Sequence, residues 1–358
     1  MKTLAKWLAL GTLAAVFALA PKGAVAQEDN TQGGFEDPTA MQAPPPTFIS
    51  PADVKKMIEN KDTSFQLVDT QPEEAYAEGH IPGAINYPWV QQVRPPISLP
   101  RNKTLIFYCP CNHDEDSIDM YKKLAEFGYL NTKILEGGWY KWVALKYPVE
   151  GTDAANAVKM ADAAAAAGGG SSNAGSTAAA PASAPAATAT AAPAPATAGP
   201  LVSGRQVGAV TPSFRVIDVT GKYKGQDTCY VCEYGEAPTV IGFFQKPSDD
   251  AAALIVKLNA LVNSKQNKDL KGFVVMVEGP DSKAWLEKLA SDKGITIPMV
   301  YLAKGPQDLG VRLYKINPAA SNTFLVNNKR QVESNFVNIT TDDFQQVADS
   351  TSKMLGGD

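Results

Sequence analysis

From about Gly151 to Pro200 the chain loses almost every large apolar side chain, ending in GGGSSNAGSTAAAPASAPAATATAAPAPATAGP. A segment of Ala, Pro, Gly, Ser and Thr buries too little surface to offset the entropy of ordering it. No single core can run through it. The chain is therefore expected to fold as two globular parts, residues 48–152 and 201–358, joined by a low-complexity linker at 153–200. As a random coil that linker reaches roughly 35–40 Å, which holds the two parts at mutual concentrations on the order of millimolar. No internal repeat is visible.

The other end of the chain carries a second non-globular stretch. MKTLAKWLALGTLAAVFALAPKGAVAQ has two early lysines, an apolar run over residues 7–20, and a small-x-small signal at Ala24-Val25-Ala26. This reads as a secretory signal peptide, residues 1–26. The apolar run is short for a membrane span, which needs ~20 apolar residues. No later stretch is longer, so no span is expected in the mature chain. Residues 27–47 are polar and proline-rich and read as a disordered leader. The expected location is outside the cytoplasm, in the periplasm, where cysteine pairs can oxidise. The net charge of −4 comes without a clustered basic surface, which argues against nucleic acid as a partner.

Ser50-Pro51 reads as a helix start, a capping side chain followed by proline in the first turn. Residues 65–69 form a short apolar strand. TLIFY at 104–108 is a continuous apolar run, the mark of a strand buried on both faces in a parallel sheet. A helix is expected over 117–127, then a strand at 133–135 and a short helix carrying Trp139 and Trp142, both taken as core. The alternation implies an α/β layered fold. Two of the chain's four cysteines fall where the central strand ends, in FYCPCNHDEDS at 107–117. Sites in open α/β sheets form at the carboxyl ends of strands. A cysteine facing a helix N-terminus is more readily a thiolate, and the thiolate is the nucleophile.

The segment DTQPEEAYAEGHIPGAINYP, residues 69–88, resembles the rhodanese-domain signature, in which Asp-x-Arg leads to Gly-His-Ile-Pro-Gly-Ala. Glu136-Gly137-Gly138-Trp139 and Tyr147-Pro148-Val149 are similar to that family's closing elements. The resemblance covers about residues 48–152. It implies a rhodanese-like parallel-sheet domain in which a loop cysteine takes up sulfane sulfur as a persulfide from a donor and passes it to a thiol acceptor. Strand position points to Cys109, whereas counting back six steps from Ser117 points to Cys111. The loop is two residues longer than is usual and resembles a Cys-x-Cys subgroup. Pro110, Asn112, His113, Asp114, Glu115, Asp116 and Ser117 complete it. Asp69 is expected to brace the sheet end and His80 to orient its own loop.

Gln71 stands where the family has arginine, and three acids stand where a basic residue is frequent. Such a loop repels thiosulfate and opposes thiolate formation. A persulfide or protein-thiol partner is therefore expected. A metal clip from Cys109, Cys111 and His113 has suitable soft donors, but its spacing is unlike common zinc sites. No metal and no cofactor are expected. A Cys109–Cys111 disulfide would close a small strained ring and so act as a redox state.

The second part alternates strands and helices in an order similar to the thioredoxin-like fold, especially its peroxiredoxin branch. Its Val-Gly-x-x-x-Pro-x-Phe opening spans residues 207–214. The family's reactive cysteine would follow the strand at 239–244, where this chain has Gln245-Lys246-Pro247-Ser248-Asp249. Cys229 and Cys232 lie ahead of that strand instead, as a redox pair or as a staple bracing a hairpin. The sequence thus points to an exported sulfurtransferase with a tethered thioredoxin-like domain. A thiol–disulfide oxidoreductase and a non-catalytic binding protein remain the alternatives.

Overall fold

In the first part, Ser50 accepts a hydrogen bond from the Asp53 amide and Pro51 occupies the first turn, so helix α1 (Pro51–Glu59) starts where the sequence places it. The computed structural model describes residues 44–154, 201–264 and 269–356. The expected signal peptide, nearly all of the expected leader and nearly all of the linker lie outside these residues. Strand β1 (Thr47–Ile49) opens one residue ahead of the expected boundary and pairs in parallel with β5 (Thr132–Leu135). The Tyr121 hydroxyl donates to the Pro44 carbonyl at 2.7 Å.

Between them lie β2 (Phe65–Asp69), α2 (Glu73–Glu78), β3 (Ile85–Asn86), β4 (Thr104–Tyr108) and α3 (Glu115–Ala125). Helix α4 (Gly138–Ala144) follows β5. The five strands form one sheet in the order β1-β5-β4-β2-β3 with every pairing parallel. The apolar run of β4 serves both faces. Leu105 and Phe107 pack with Met120, Tyr121 and Leu124 of α3, whereas Ile106 and Tyr108 pack with Val54, Trp139 and Trp142. Trp142 is fully buried and donates to the Pro148 carbonyl.

The second part has β6 (Val216–Asp218), β7 (Asp227–Thr228), α5 (Tyr230–Tyr234), β8 (Thr239–Phe244), α6 (Asp249–Val262), β9 (Lys271–Met276) and α7 (Lys283–Lys293). Then come β10 (Met299–Tyr301), α8 (Leu309–Tyr314), β11 (Asn322–Asn328), β12 (Gln331–Val337) and α9 (Gln345–Met354). Its seven-stranded sheet runs β12-β11-β8-β9-β10-β6-β7. Strands β8, β9 and β10 are parallel, while β11 and β12 run antiparallel on the other side of β8. A β-α-β unit flanked by an antiparallel hairpin is the thioredoxin-like layout the sequence implied. One face, with Val240, Val274 and Met276, packs on α6, α7 and α9. The other face, with Ile241, Phe243, Phe273 and Val275, packs on α5 and Tyr314. Cys109 and Cys111 of the first part belong to this same apolar cluster.

Other boundaries also differ from the sequence reading. Helix α3 begins at Glu115, not Ser117, because Asp114 takes a left-handed conformation (φ 60°) that turns the loop into the helix early. The run Asn327-Asn328-Lys329 predicts a hairpin turn, and the β11–β12 hairpin turns one residue further on, at Lys329-Arg330. The sequence pattern predicts a last helix from near Thr341, and that helix starts at Gln345.

Gly138 sets how close α4 comes to the cysteine loop. It has φ 45°, and a Cβ there would lie 2.4 Å from the Cys109 carbonyl oxygen. The next amide, Trp139 N–H, donates to that carbonyl at 3.0 Å. Gly138→Ala combines a left-handed backbone with a clash and is expected to cost at least about 2 kcal/mol, measured by urea unfolding of the full chain.

Candidate functional site

Strand β4 ends one residue before Cys109, so the buried central strand delivers the loop 109–116 to the carboxyl edge of the sheet. Asp114 ties it to the neighbouring turn by accepting from the Gly137 amide at 2.9 Å. Cys109 and Cys111 are free thiols, each with no exposed surface. What covers them is the second part. Helix α5 opens at Cys229-x-x-Cys232, and these two cysteines form a disulfide. The pair closes the first turn of a helix rather than bracing a hairpin, as one sequence reading had it. The Cys111 and Cys232 sulfurs and an Asp116 carboxylate oxygen lie within 4.8 Å of one another. All four cysteines thus share one apolar cluster.

Burial dominates the chemistry of the loop thiols. It pushes Cys109 up and Cys111 well up, against the helix N-terminus that was expected to favour thiolates. The contact between the two thiols then separates them, easing ionisation of Cys109 and opposing that of Cys111. Asp116 opposes both, as the acidic loop sequence implied.

Asp116 is itself buried and pairs across the boundary with Arg330, which is buried too. Arg330 donates from Nη1 to Oδ1 at 2.5 Å and from Nη2 to Oδ2 at 3.4 Å. The guanidinium also lies over the Trp89 ring, 3.7 Å from its centroid. Lys329 and Arg330 make the two-residue β11–β12 turn, both with positive φ (48° and 59°). Further links surround this one. Asn112 donates to the Thr228 hydroxyl at 2.6 Å, and the Tyr140 hydroxyl reaches Asp227 at 3.4 Å. Arg215 pairs with Asp227 and lies over the Tyr140 ring. Glu78 pairs with Arg312 and Lys304, and Asp153 with Lys304. The first part contributes the acids and the second the bases in these last pairs.

His113 is mostly exposed and turns towards Glu115 (3.3 Å) and Glu233 (3.8 Å), away from the thiols. A Cys109–Cys111–His113 clip is therefore not assembled. Two other sets have metal-donor spacing among the described residues: Cys111, Asp116 and Cys232, and His113, Glu115 and Glu233. In the first, the Cys232 sulfur is held in the disulfide. A cleft between the parts is lined by Gln71, Gly79, Pro110 and Trp139 on one side and Arg215 and Lys304 on the other.

Asp69, the last residue of β2, accepts from the Gln71 amide and side chain at 2.9 and 2.8 Å. Gln71 supplies hydrogen bonds but no charge, and burial pushes Asp69 up to about 7 against the hydrogen bonds of Tyr108 and Gln71. His80 lies in its loop with Nδ1 2.8 Å from the Tyr76 carbonyl oxygen and its amide donating to Glu150. Arg330, Trp89, Thr228 and Tyr140 were not singled out from the sequence. An isolated Arg in a hairpin turn carries no local signal of a partner 214 positions away.

Residues 50–145 match the family model of the rhodanese-like domain, so the chain carries such a domain. It is 31% identical over 103 residues to the adenylyltransferase and sulfurtransferase UBA4 of Candida albicans, covering 26% of this chain and 23% of that one. It is 28% identical over 105 residues to the sulfur carrier protein TtuD of Thermus thermophilus, covering 25% and 36%. The match spans about a quarter to a third of the length of these relatives. Among solved structures, peroxidoxin BcpB of Mycobacterium tuberculosis aligns at 14% identity with a TM-score of 0.35, over 42% of this chain and 97% of that one. The thioredoxin-like layout of the second part stands on its own strand order.

Two outcomes are expected. Arg330→Met leaves Asp116 buried without its partner and costs about 3–5 kcal/mol in urea unfolding, whereas adding Asp116→Asn recovers most of the loss. Asp69 is protonated when folded up to about pH 7, while the unfolded chain releases that proton near pH 4. The folded state thus binds more protons in this window, and stability falls as pH rises from about 4 to 7. Asp69→Asn removes its share of that slope. Between pH 4.5 and 7.5, wild type is expected to lose about 2–4 kcal/mol more than the variant in denaturant titrations.

Proposed function

We propose that this chain is an exported rhodanese-like sulfurtransferase. It carries sulfane sulfur as a persulfide in the 109–116 loop and has a thioredoxin-like domain as the redox partner of that loop. One observation carries the reading: Cys111 and Cys232, from different domains, bring their sulfurs within 4.8 Å in a buried cluster. The rhodanese-like match and the sulfurtransferase and sulfur-carrier relatives support the reaction class. Export rests on the N-terminal sequence.

Cys109 is the carrier in this reading. It follows the central strand, and it is the loop thiol that ionises more easily. Its thiolate attacks the outer sulfur of a donor persulfide, forms Cys109–S–SH and releases the donor thiol. A second thiol then takes the sulfur. Gln71 in place of arginine and the acids at 114–116 disfavour thiosulfate and favour a persulfide or protein-thiol partner. A second reading, thiol–disulfide oxidoreductase, is favoured by the Cys229–Cys232 disulfide beside Cys111.

Peptide mass spectrometry after incubation with a polysulfide distinguishes these. Sulfur transfer gives an adduct of about 32 Da (one sulfur atom, as in a persulfide) on the peptide holding Cys109 and Cys111. Cys109→Ser is expected to lower that adduct more than ten-fold and Cys111→Ser to lower it less. A disulfide with no adduct favours the oxidoreductase, and no change at all favours a binding protein. Thiosulfate turnover as fast as that of a basic-loop rhodanese would remove the preference for persulfides.

A further inference from the structure

The four sulfurs differ in their surroundings, and the differences order them. The Cys111 and Cys232 sulfurs lie within 4.8 Å of each other across the domain boundary. Cys109 touches Cys111 from the strand side. Cys229 stands behind Cys232 as the N-cap of α5, where its sulfur accepts the Cys232 amide at 3.1 Å. Each outer cysteine is placed to serve its inner neighbour, and all four are buried.

We propose that Cys111 and Cys232 are the point of exchange through which the second domain reduces an oxidised loop. The step starts from a Cys109–Cys111 disulfide with Cys229 and Cys232 as thiols. The Cys232 thiolate attacks Cys111, the Cys109–Cys111 bond breaks, and Cys109 leaves and takes up a proton. A Cys111–Cys232 bond now joins the domains. The Cys229 thiolate then attacks Cys232, and Cys111 leaves and is protonated. Both protons come from the Cys229 and Cys232 thiols. Two electrons pass to the loop, which ends as two thiols beside a Cys229–Cys232 disulfide, the arrangement in the structure. An external dithiol reductant restores the second pair for another round.

The local chemistry favours this direction. A Cys-x-Cys disulfide closes a small ring and is readily reduced. Cys109 is the better leaving group because its ionisation is the easier of the two. A backbone N–H directed at the Cys229 sulfur raises the thiolate fraction available for the second attack, an effect on its rate. The inference rests on reading the second domain as the loop's redox partner. It extends that reading to a role: keeping the sulfur-carrying loop in its thiol form.

The test uses full-length chains. Cys109→Ser/Cys229→Ser retains only the two inner sulfurs, and diamide is expected to give a Cys111–Cys232 cross-link by peptide mapping. Cys111→Ser/Cys229→Ser is expected to form Cys109–Cys232 at least ten-fold more slowly. Equal or reversed rates overturn the assignment. The second arm needs no substitution of loop cysteines. Fully reduced wild type given one equivalent of diamide and then alkylated is expected to show Cys109 and Cys111 alkylated and Cys229–Cys232 joined. Cys229→Ser/Cys232→Ser treated alike should end with the loop disulfide. A loop disulfide persisting in wild type overturns the proposal. The 32 Da test is separate: sulfur loading without the cross-link sinks this inference alone, and the cross-link without loading sinks the sulfurtransferase reading alone.

Discussion

The buried pair between Asp116 and Arg330 decides how the two domains meet. Taking two charges out of water is costly, and a buried pair contributes little net stability against an apolar alternative. What it contributes is register. A guanidinium held by both carboxylate oxygens and laid on the Trp89 ring has few orientations that keep all three contacts. Any slip between the domains would leave a charge buried and alone. With that register fixed, α5 lies over the cysteine loop and Cys232 beside Cys111. The pairs of Glu78 and Asp153 with Lys304 and Arg312 sit at the more exposed margin of the same boundary, where each is worth little singly.

Two influences compete at the loop thiols. Strand position and the start of α3 place them where backbone N–H groups favour negative charge. Full burial and the neighbouring Asp116 oppose it, and these prevail. The consequence is a pair of protected thiols rather than an exposed nucleophile. Their reactivity is a property of the boundary, since solvation of either sulfur depends on whether the second domain is in place.

Much of the frame was legible in the sequence. The β2 and β4 strands and the cap of α1 fall where hydrophobic runs and Ser-Pro chemistry place them, because those signals are local. The cysteine loop was found for the same reason, since the end of a buried strand is a position one can count to. The start of α3 was missed because a left-handed Asp114, anchored to the Gly137 amide, overrides the preference of a small residue for opening a helix. The domain boundary was not legible at all. Asn112 with Thr228 and Asp116 with Arg330 join positions more than a hundred residues apart, and no periodicity links them. The Cys-x-x-Cys pair was visible, but what it faces is set by those long-range contacts.

The turn that carries Arg330 has its own consequence. Two-residue hairpin turns of this kind suit asparagine and glycine, which tolerate positive φ, whereas Lys329 and Arg330 both carry side chains that do not. The hairpin therefore holds local backbone strain at two adjacent residues. The Arg330 side chain contacts Asp116 and Trp89 in the other domain, while Glu236 and Thr211 of its own domain hold the turn's backbone. The turn thus belongs to its own domain through its backbone and to a partner 214 positions upstream through a single side chain.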